Sequence, residues 1–165
     1  MKDNTYEEYL SLVKNILEDE EFKKLKNCLH HGTTRYEHSI NVSYNAYKIA
    51  KRYNLSYEEV ARSALLHDFF INEEANLKDR FKATFTHAAQ AENNARDKFN
   101  ISEKEAKIIR CHMFPVNLTL PRDKESWVVT ICDKGAYFNE YFKNVSHKLK
   151  YAVNIFAILI LNFMK

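Results

Sequence analysis

Glycine and proline are scarce in this chain, which has 165 residues and two of each. About 7% glycine is average for proteins, and tight turns depend heavily on both residues. The shortage therefore favours helices over a sheet with many hairpins. Gly32 and Gly135 are the two glycines, and neither belongs to a GxGxxG or GxxxxGK[ST] motif. A glycine-based cradle for a nucleotide is thus unsupported.

Paired cysteines, a strong net charge and a long apolar run are also missing. Cys28, Cys111 and Cys132 form no CxxC motif, which favours reduced thiols in a cytoplasmic protein. The first ten residues lack the apolar segment of a signal peptide. The net charge of +3 is too small to indicate nucleic acid or a membrane surface as partner. The apolar stretch 151–165 is shorter than the ~20 residues of a membrane span, so we expect a core helix or a homodimer contact there.

Helical patterns run through most of the chain. Apolar periodicity and helix-capping residues predict seven helices and no strand. The predicted helices lie at roughly 4–28, 35–53, 57–71, 87–99, 103–113, 124–143 and 147–163. Residues 72–85 are predicted to be a polar connection, with or without a short helix. The length suits one domain. We therefore predict a single all-α domain, a helical bundle that covers residues 1–165.

Three of the predicted helices begin with the S/T-x-x-E pattern of a capping box. The pairs are Thr34 with Glu37, Ser56 with Glu59, and Ser102 with Glu105. In a capping box the hydroxyl and the carboxylate each accept a hydrogen bond from a backbone amide at the helix start. The pattern therefore predicts where these three helices begin.

Four histidines and two aspartates lie where the helical periodicity directs them inward. They are His38, His67, Asp68, His87, His112 and Asp133. His38, for example, shares one helix face with Val42 and Ala46. Six separately buried polar groups would incur six desolvation costs, whereas one shared metal centre removes most of that cost. A lone histidine on an apolar face is usually a hydrogen-bonded core residue, which is the alternative for each of them. The metal interpretation therefore depends on their joint occurrence.

In this order the residues resemble the HD superfamily of metal-dependent phosphohydrolases. The family signature is a histidine, then a His-Asp pair, then an aspartate, each on a separate helix. Here His38 lies in TTRYEHSINV, His67 and Asp68 lie in ALLHDFF, and Asp133 lies in VVTICDKGAY. The resemblance covers roughly residues 33–140. It implies a helical HD domain in which these four residues hold a metal ion.

His87 and His112 indicate the subclass. They occur between the His-Asp pair and the final aspartate, as in family members that bind two metals. That branch includes HD-GYP phosphodiesterases and dinucleoside-polyphosphate hydrolases, although this chain has no GYP triplet. The resemblance implies that Asp68 bridges to a second metal held by His87 and His112.

An imidazole and carboxylate set favours iron or manganese over magnesium or calcium, with zinc, nickel and cobalt as alternatives. We expect two divalent transition metals, and one metal is the alternative.

The resemblance implies a hydrolase of phosphoester or phosphoanhydride bonds, either a phosphomonoesterase or a phosphodiesterase, that acts on a nucleotide or a related phosphoester. Asp68 and His67 would be the catalytic residues, since they hold the metals that activate water. Arg35, Lys134 and Arg110 are the candidates to bind the remaining phosphate oxygens, and solvated surface charges are the alternative for each.

Two other functions stay open: an oxygenase with a pair of irons, and a non-catalytic regulatory or binding module stabilised by metal.

Overall fold

The computed structural model describes residues 4–30, 33–71 and 77–143. Its helices are α1 (Asn4–Leu17), α2 (Glu20–Lys23), α3 (Arg35–Arg52), α4 (Tyr57–Leu66), α5 (Leu77–Phe99), α6 (Glu103–Cys111) and α7 (Lys124–Lys143). A 3-10 turn (Lys24–Asn27) and two short antiparallel strands, β1 (Leu29–His30) and β2 (Thr33–Thr34), connect α2 to α3. The prediction of an all-α fold is confirmed. Among these residues, no helix combines the length and hydropathy that crossing a membrane requires.

The predicted first helix, 4–28, is wrong because two helices and a turn occupy that stretch. α1 ends at Leu17, and the Asp19 side chain then accepts hydrogen bonds from the amides of Glu21 and Phe22 at 2.9 and 3.1 Å. This N-cap marks the start of α2. The prediction of no strand is also wrong, although each strand has only two residues.

α5 begins earlier than predicted. It starts at Leu77, inside the stretch 72–85 that was expected to be a polar connection. Residues 77–86 contain no glycine or proline, and Leu77, Phe81 and Phe85 recur at the four-residue spacing of a helix face. The segment therefore carries a helical pattern that the prediction missed. The predicted helix at 147–163 lies outside the described residues.

Two of the three predicted capping boxes form. Thr34 starts α3 and Ser102 starts α6, each with the reciprocal pair of hydrogen bonds. The third prediction is wrong, because the Ser56 hydroxyl does not cap α4. It accepts a hydrogen bond from Lys104 Nζ at 2.6 Å instead. A long-range partner has therefore replaced the local one.

We expect the Thr34→Ala variant to lose about 1 kcal/mol of unfolding free energy, the usual cost of removing an N-cap hydroxyl. The Glu37 amide now donates to Thr34 Oγ1 at 3.2 Å and would lose that acceptor. Urea denaturation measures the effect. Thr34→Ser keeps the hydroxyl and should match the parent, as should Ser11→Ala on the exposed side of α1. Equal stability of Thr34→Ala and the parent would contradict the prediction.

α3 and α4 form the centre of the bundle. α3 contacts α1, α4 and α7, while α4 contacts α1, α3, α5, α6 and α7. One apolar cluster is rich in aromatic and leucine side chains from α1 to α6, including fully buried Tyr9, Phe22 and Leu65. A second cluster joins α3, α4, α6 and α7 through smaller residues such as Val42 and Val129. Because α3 and α4 touch most of the other helices, polar residues on their inner faces can meet residues from the whole bundle.

Candidate metal centre

The structure brings all six predicted metal ligands together from helices α3 to α7. His38 lies in the first turn of α3, His67 and Asp68 follow α4, His87 lies in α5, His112 ends α6 and Asp133 lies in α7. Each residue is between 0% and 9% exposed. Polar groups this deeply buried require partners, and these six lie next to one another.

The first group of ligand atoms belongs to His38, His67 and Asp133. Asp133 Oδ1 lies 3.2 Å from His38 Nε2 and 3.6 Å from His67 Nε2. The three residues each offer one ligand atom, and these atoms lie within 4.8 Å of one another. Three donors at this spacing can point at one metal ion between them.

The second group surrounds the Asp68 carboxylate. His67, Asp68 and His112 again offer ligand atoms within 4.8 Å of one another. Asp68 Oδ1 lies 3.7 Å from His87 Nε2 and 3.7 Å from His112 Nε2. Asp68 Oδ2 lies 3.8 Å from His67 Nε2. The carboxylate therefore faces histidines with both oxygens, an arrangement compatible with the bridging role that the resemblance implies.

Hydrogen bonds to nearby backbone carbonyls fix the tautomer of two histidines. His67 Nδ1 lies 2.7 Å from the carbonyl oxygen of Ala64, and His112 Nδ1 lies 2.7 Å from that of Ile109. A carbonyl can only accept, so Nδ1 must carry the proton in both rings. In a neutral imidazole this leaves the Nε2 lone pair available for a metal. Backbone carbonyls orient metal-binding histidines in the same way in other proteins.

His67 Nε2 tests whether these residues fit a metal. The atom is buried and has no hydrogen-bond partner among the described residues. Leaving such a nitrogen unsatisfied costs about 1–3 kcal/mol, and a divalent ion would use its lone pair. The surrounding donors are imidazole nitrogens and carboxylate oxygens, a set that suits iron, manganese or zinc. The residues present therefore fit a divalent transition metal.

The protonation states suit metal binding. Burial opposes ionisation of Asp133, but the imidazoles of His38 and His67 outweigh it and hold the pKa of that carboxyl well below its usual range. Burial, helped by neighbouring His67, lowers the pKa of His112 to about 3, although the carboxylates of Asp133 and Asp68 act in the opposite direction. At neutral pH Asp133 is thus ionised and His112 is neutral, which are the forms that bind metal.

We expect the metal-free protein to lose stability as the pH falls below His112's usual pKa of 6.5. Between that value and a pKa of about 3 in the folded state, the unfolded chain binds a proton that the folded protein does not. This residue alone then lowers the unfolding free energy by up to about 1.4 kcal/mol per pH unit. Urea denaturation in EDTA at pH 7, 6 and 5 measures the slope, which should be smaller for His112→Gln. Equal or greater stability at pH 5 would contradict the prediction.

Two of the three predicted phosphate ligands lie beside the cluster. Arg35 is buried, donates from Nη1 to the Phe70 carbonyl at 2.6 Å, and places its guanidinium 3.9 Å from the centre of the Phe70 ring. Its Nε lies 4.0 Å from Asp68 Oδ2. Lys134 Nζ donates to Asp133 Oδ2 at 2.9 Å. Both side chains add positive charge at the edge of the cluster, and phosphate binding by them stays a prediction.

Arg110, the third predicted phosphate ligand, has a carboxylate partner outside the cluster. Its Nη2 donates to Glu92 Oε1 at 2.7 Å. Glu92 is 1% exposed and was not singled out from the sequence. The sequence could have indicated that Glu92 is buried, because Glu92 lies four residues after Ala88 and three before Ala95, on the inward alanine face of α5. A carboxylate at that position needs a charged partner, and Arg110 supplies it.

Comparison with known proteins gives a family for the chain. The HD domain family model matches residues 35–136, which is more than half of the chain, and the matched region contains all six clustered residues. No curated protein and no solved structure gives a significant match. Members of this family are generally metal-dependent hydrolases. The chain belongs to the HD domain family.

Proposed function

We propose that this protein is a metal-dependent phosphohydrolase that cleaves a phosphoester bond in a nucleotide or a related small molecule. The observation that carries the proposal is the buried cluster of four imidazoles and two carboxylates in an HD domain. The nucleotide assignment comes from the family. The imidazole and carboxylate donors support iron or manganese over magnesium or calcium.

The proposal assigns the six residues to two metal ions. His38, His67 and Asp133, together with Asp68, would hold the first, and Asp68 would also serve a second ion with His87 and His112. Two observations support this division: the ligand atoms form two overlapping groups that share His67, and Asp68 in the second group faces His87 and His112 with one oxygen and His67 with the other. Bound divalent metals supply a hydroxide near neutral pH and a Lewis acid for phosphoryl oxygens.

Arg35 and Lys134 would orient the phosphoester. Arg35 Nε is buried and has no hydrogen-bond partner among the described residues, so a phosphate oxygen would supply one. The rest of its guanidinium is held by the Phe70 carbonyl and ring, which leaves little freedom to lose on binding. Lys134 lies against Asp133 and the His112 carbonyl, at 2.9 and 3.3 Å. These two cations favour an anionic substrate beside the cluster.

Hydrolysis assays on metal-loaded protein test the proposal. The protein is stripped with EDTA, reloaded with Mn²⁺, or with Fe²⁺ under anaerobic conditions, and assayed with bis-p-nitrophenyl phosphate, p-nitrophenyl phosphate and a panel of nucleotides and dinucleotides. We expect turnover that disappears on stripping and returns on reloading. Diester cleavage indicates a phosphodiesterase, and cleavage of the monoester alone indicates a phosphatase.

Two results would overturn the proposal in favour of the other functions. Stoichiometric metal binding without hydrolysis of any phosphoester would favour a regulatory or binding module. Oxygen consumption by the iron-loaded protein, again without hydrolysis, would favour an oxygenase. Metal content measured on the same samples separates both results from a simple failure to load.

A further inference from the structure

Glu92 is a buried carboxylate that the proposed chemistry does not use. It lies on α5, five residues after His87, and is only 1% exposed. Charged side chains are almost never buried to this extent without a partner. The partners of Glu92 therefore indicate why the residue is there.

Two arginines hold the Glu92 carboxylate. Arg110, on α6, donates from Nη2 to Oε1 at 2.7 Å and from Nε to Oε2 at 2.5 Å. Arg96, one turn along α5, donates from Nε to Oε1 at 3.0 Å and makes a second bidentate pair with Glu103 at 2.6 and 2.9 Å. Two-pronged pairs of this kind fix orientation as well as distance. α5 and the start and end of α6 are thus joined by a chain of directional ionic bonds.

This chain of bonds lies next to metal ligands on both helices. Arg110 comes two residues before His112, whose ring is itself held by the Ile109 carbonyl. On the other side of α5, Asn94 Nδ2 donates to the Phe69 carbonyl at 3.0 Å, directly after Asp68. The position of α5 is therefore set relative to His112 and to Asp68 at the same time.

Apart from His87 and Glu92, the buried residues that the structure describes on α5 are small. Its buried residues near the cluster include Ala88, Ala91 and Ala95. Methyl groups let helices approach closely, but they resist sliding or rotation only weakly because they interdigitate little. A buried ion pair contributes little net stability compared with apolar packing, and in some proteins it specifies one arrangement among several. The Glu92–Arg110 pair has the location and geometry to specify one position of α5 against α6.

We propose that Glu92 and Arg110 are positioning residues for the second metal pocket. By holding α5 in register with α6, they bring His87 Nε2 and His112 Nε2 to the same oxygen of Asp68, at 3.7 Å each. The inference rests on the two-metal arrangement of the proposed function. It predicts that weakening the pair lowers the affinity for the second metal and leaves the first metal unaffected.

The test is a Mn²⁺ titration of the stripped full-length protein and its Glu92→Gln variant. Glutamine keeps the size of the side chain and removes its charge. Isothermal titration calorimetry gives stoichiometry and affinity, and electron paramagnetic resonance distinguishes coupled from isolated Mn²⁺. We expect the second Mn²⁺ to bind about 10–100-fold more weakly, the usual effect of altering a group that orients a ligand, with the first unchanged. Glu58→Gln is the matched control, because it makes the same chemical change at an exposed position on α4, away from these ionic bonds, and should bind as the parent does.

The outcomes separate this inference from the proposed function. Two Mn²⁺ bound with parent affinities by Glu92→Gln would overturn the positioning role and leave the two-metal function standing. A parent protein that binds only one Mn²⁺ would overturn both. Circular dichroism melts verify folding, and if Glu92→Gln does not fold, Arg110→Gln decides. Its side chain is 58% exposed, and Glu92 would keep Arg96. Parent-like affinity for both ions in Arg110→Gln would equally overturn the inference.

Discussion

Replacing Asp68 with asparagine is expected to lower metal-dependent phosphoester hydrolysis by at least about 100-fold. Altering a residue that merely orients a metal ligand costs about 10–100-fold, whereas Asp68 is itself one of the clustered donors and lies beside His67, which both groups share. Its two oxygens lie 3.7 to 3.8 Å from Nε2 of three histidines. Asparagine keeps the shape but removes the negative charge and replaces one of the two oxygen donors with an amide nitrogen that cannot serve as a metal ligand. We therefore expect both proposed metal pockets to be weakened together.

The measurement is kcat/KM for bis-p-nitrophenyl phosphate with Mn²⁺-loaded protein, together with metal content. Asp68 is 4% exposed and asparagine is nearly isosteric with it, so the variant should fold, and a circular dichroism melt verifies this. Asp97→Asn on the exposed side of α5 is the control and should retain parent activity. The prediction is contradicted if the Asp68→Asn variant keeps more than about a tenth of the parent kcat/KM, which corresponds to a barrier change under about 1.4 kcal/mol. Asp68 would then not be essential for hydrolysis.

Truncating Leu66 to alanine is expected to cost about 2–5 kcal/mol of unfolding free energy, the usual range for a buried leucine. Leu66 is fully buried in the larger apolar cluster and directly precedes His67. Alanine would leave a cavity that the surrounding helices fill only in part. Because a typical domain has about 5–15 kcal/mol of stability in total, this loss is a large share.

Urea denaturation of the Leu66→Ala variant measures that loss. Leu118→Ala is the matched control: the same chemical change at a side chain that is 83% exposed should cost less than about 0.5 kcal/mol. A cost under 1 kcal/mol for Leu66→Ala, about the effect of one hydrogen bond, would contradict the prediction. It would show that burial of the Leu66 side chain contributes little to the free energy of unfolding. The variant's affinity for Mn²⁺ should fall as well, because Leu66 packs the helix end that presents His67.

Much of the candidate metal centre could be predicted because its residues lie in recognisable local sequence patterns. His38 follows a capping box that forms as expected at Thr34. A few neighbouring residues were therefore enough to predict that His38 lies in the first turn of α3. His67 follows the apolar end of α4, and His112 follows α6 in line with Ile108 and Ile109. The order of His38, His67 with Asp68, and Asp133 also matches the family signature, and His87 and His112 lie where members that bind two metals have them. Periodicity and capping act over one or two turns, so a linear sequence displays them directly.

Predictions that depended on distant partners fared less well. Ser56 has the same capping pattern as Thr34, yet its hydroxyl accepts from Lys104, 48 residues away. Phosphate binding by Arg110 stays a prediction, but its carboxylate partner Glu92, on another helix, was not predicted. In both cases a charged side chain from a distant segment competes for the same group, and spacing along the chain does not reveal which groups will meet.

The sequence by itself determined an all-α HD domain, most of its helix starts, and the identity and order of the six clustered donors, because those features depend on near neighbours and residue chemistry. Only the tertiary structure decided that Asp68 faces histidines with both oxygens and that Arg110 is held by buried Glu92. It also decided that Arg35 and Lys134 lie beside the cluster. These contacts join helices far apart in the chain. Their geometry depends on the register of one helix against another, which the packing of the whole core sets.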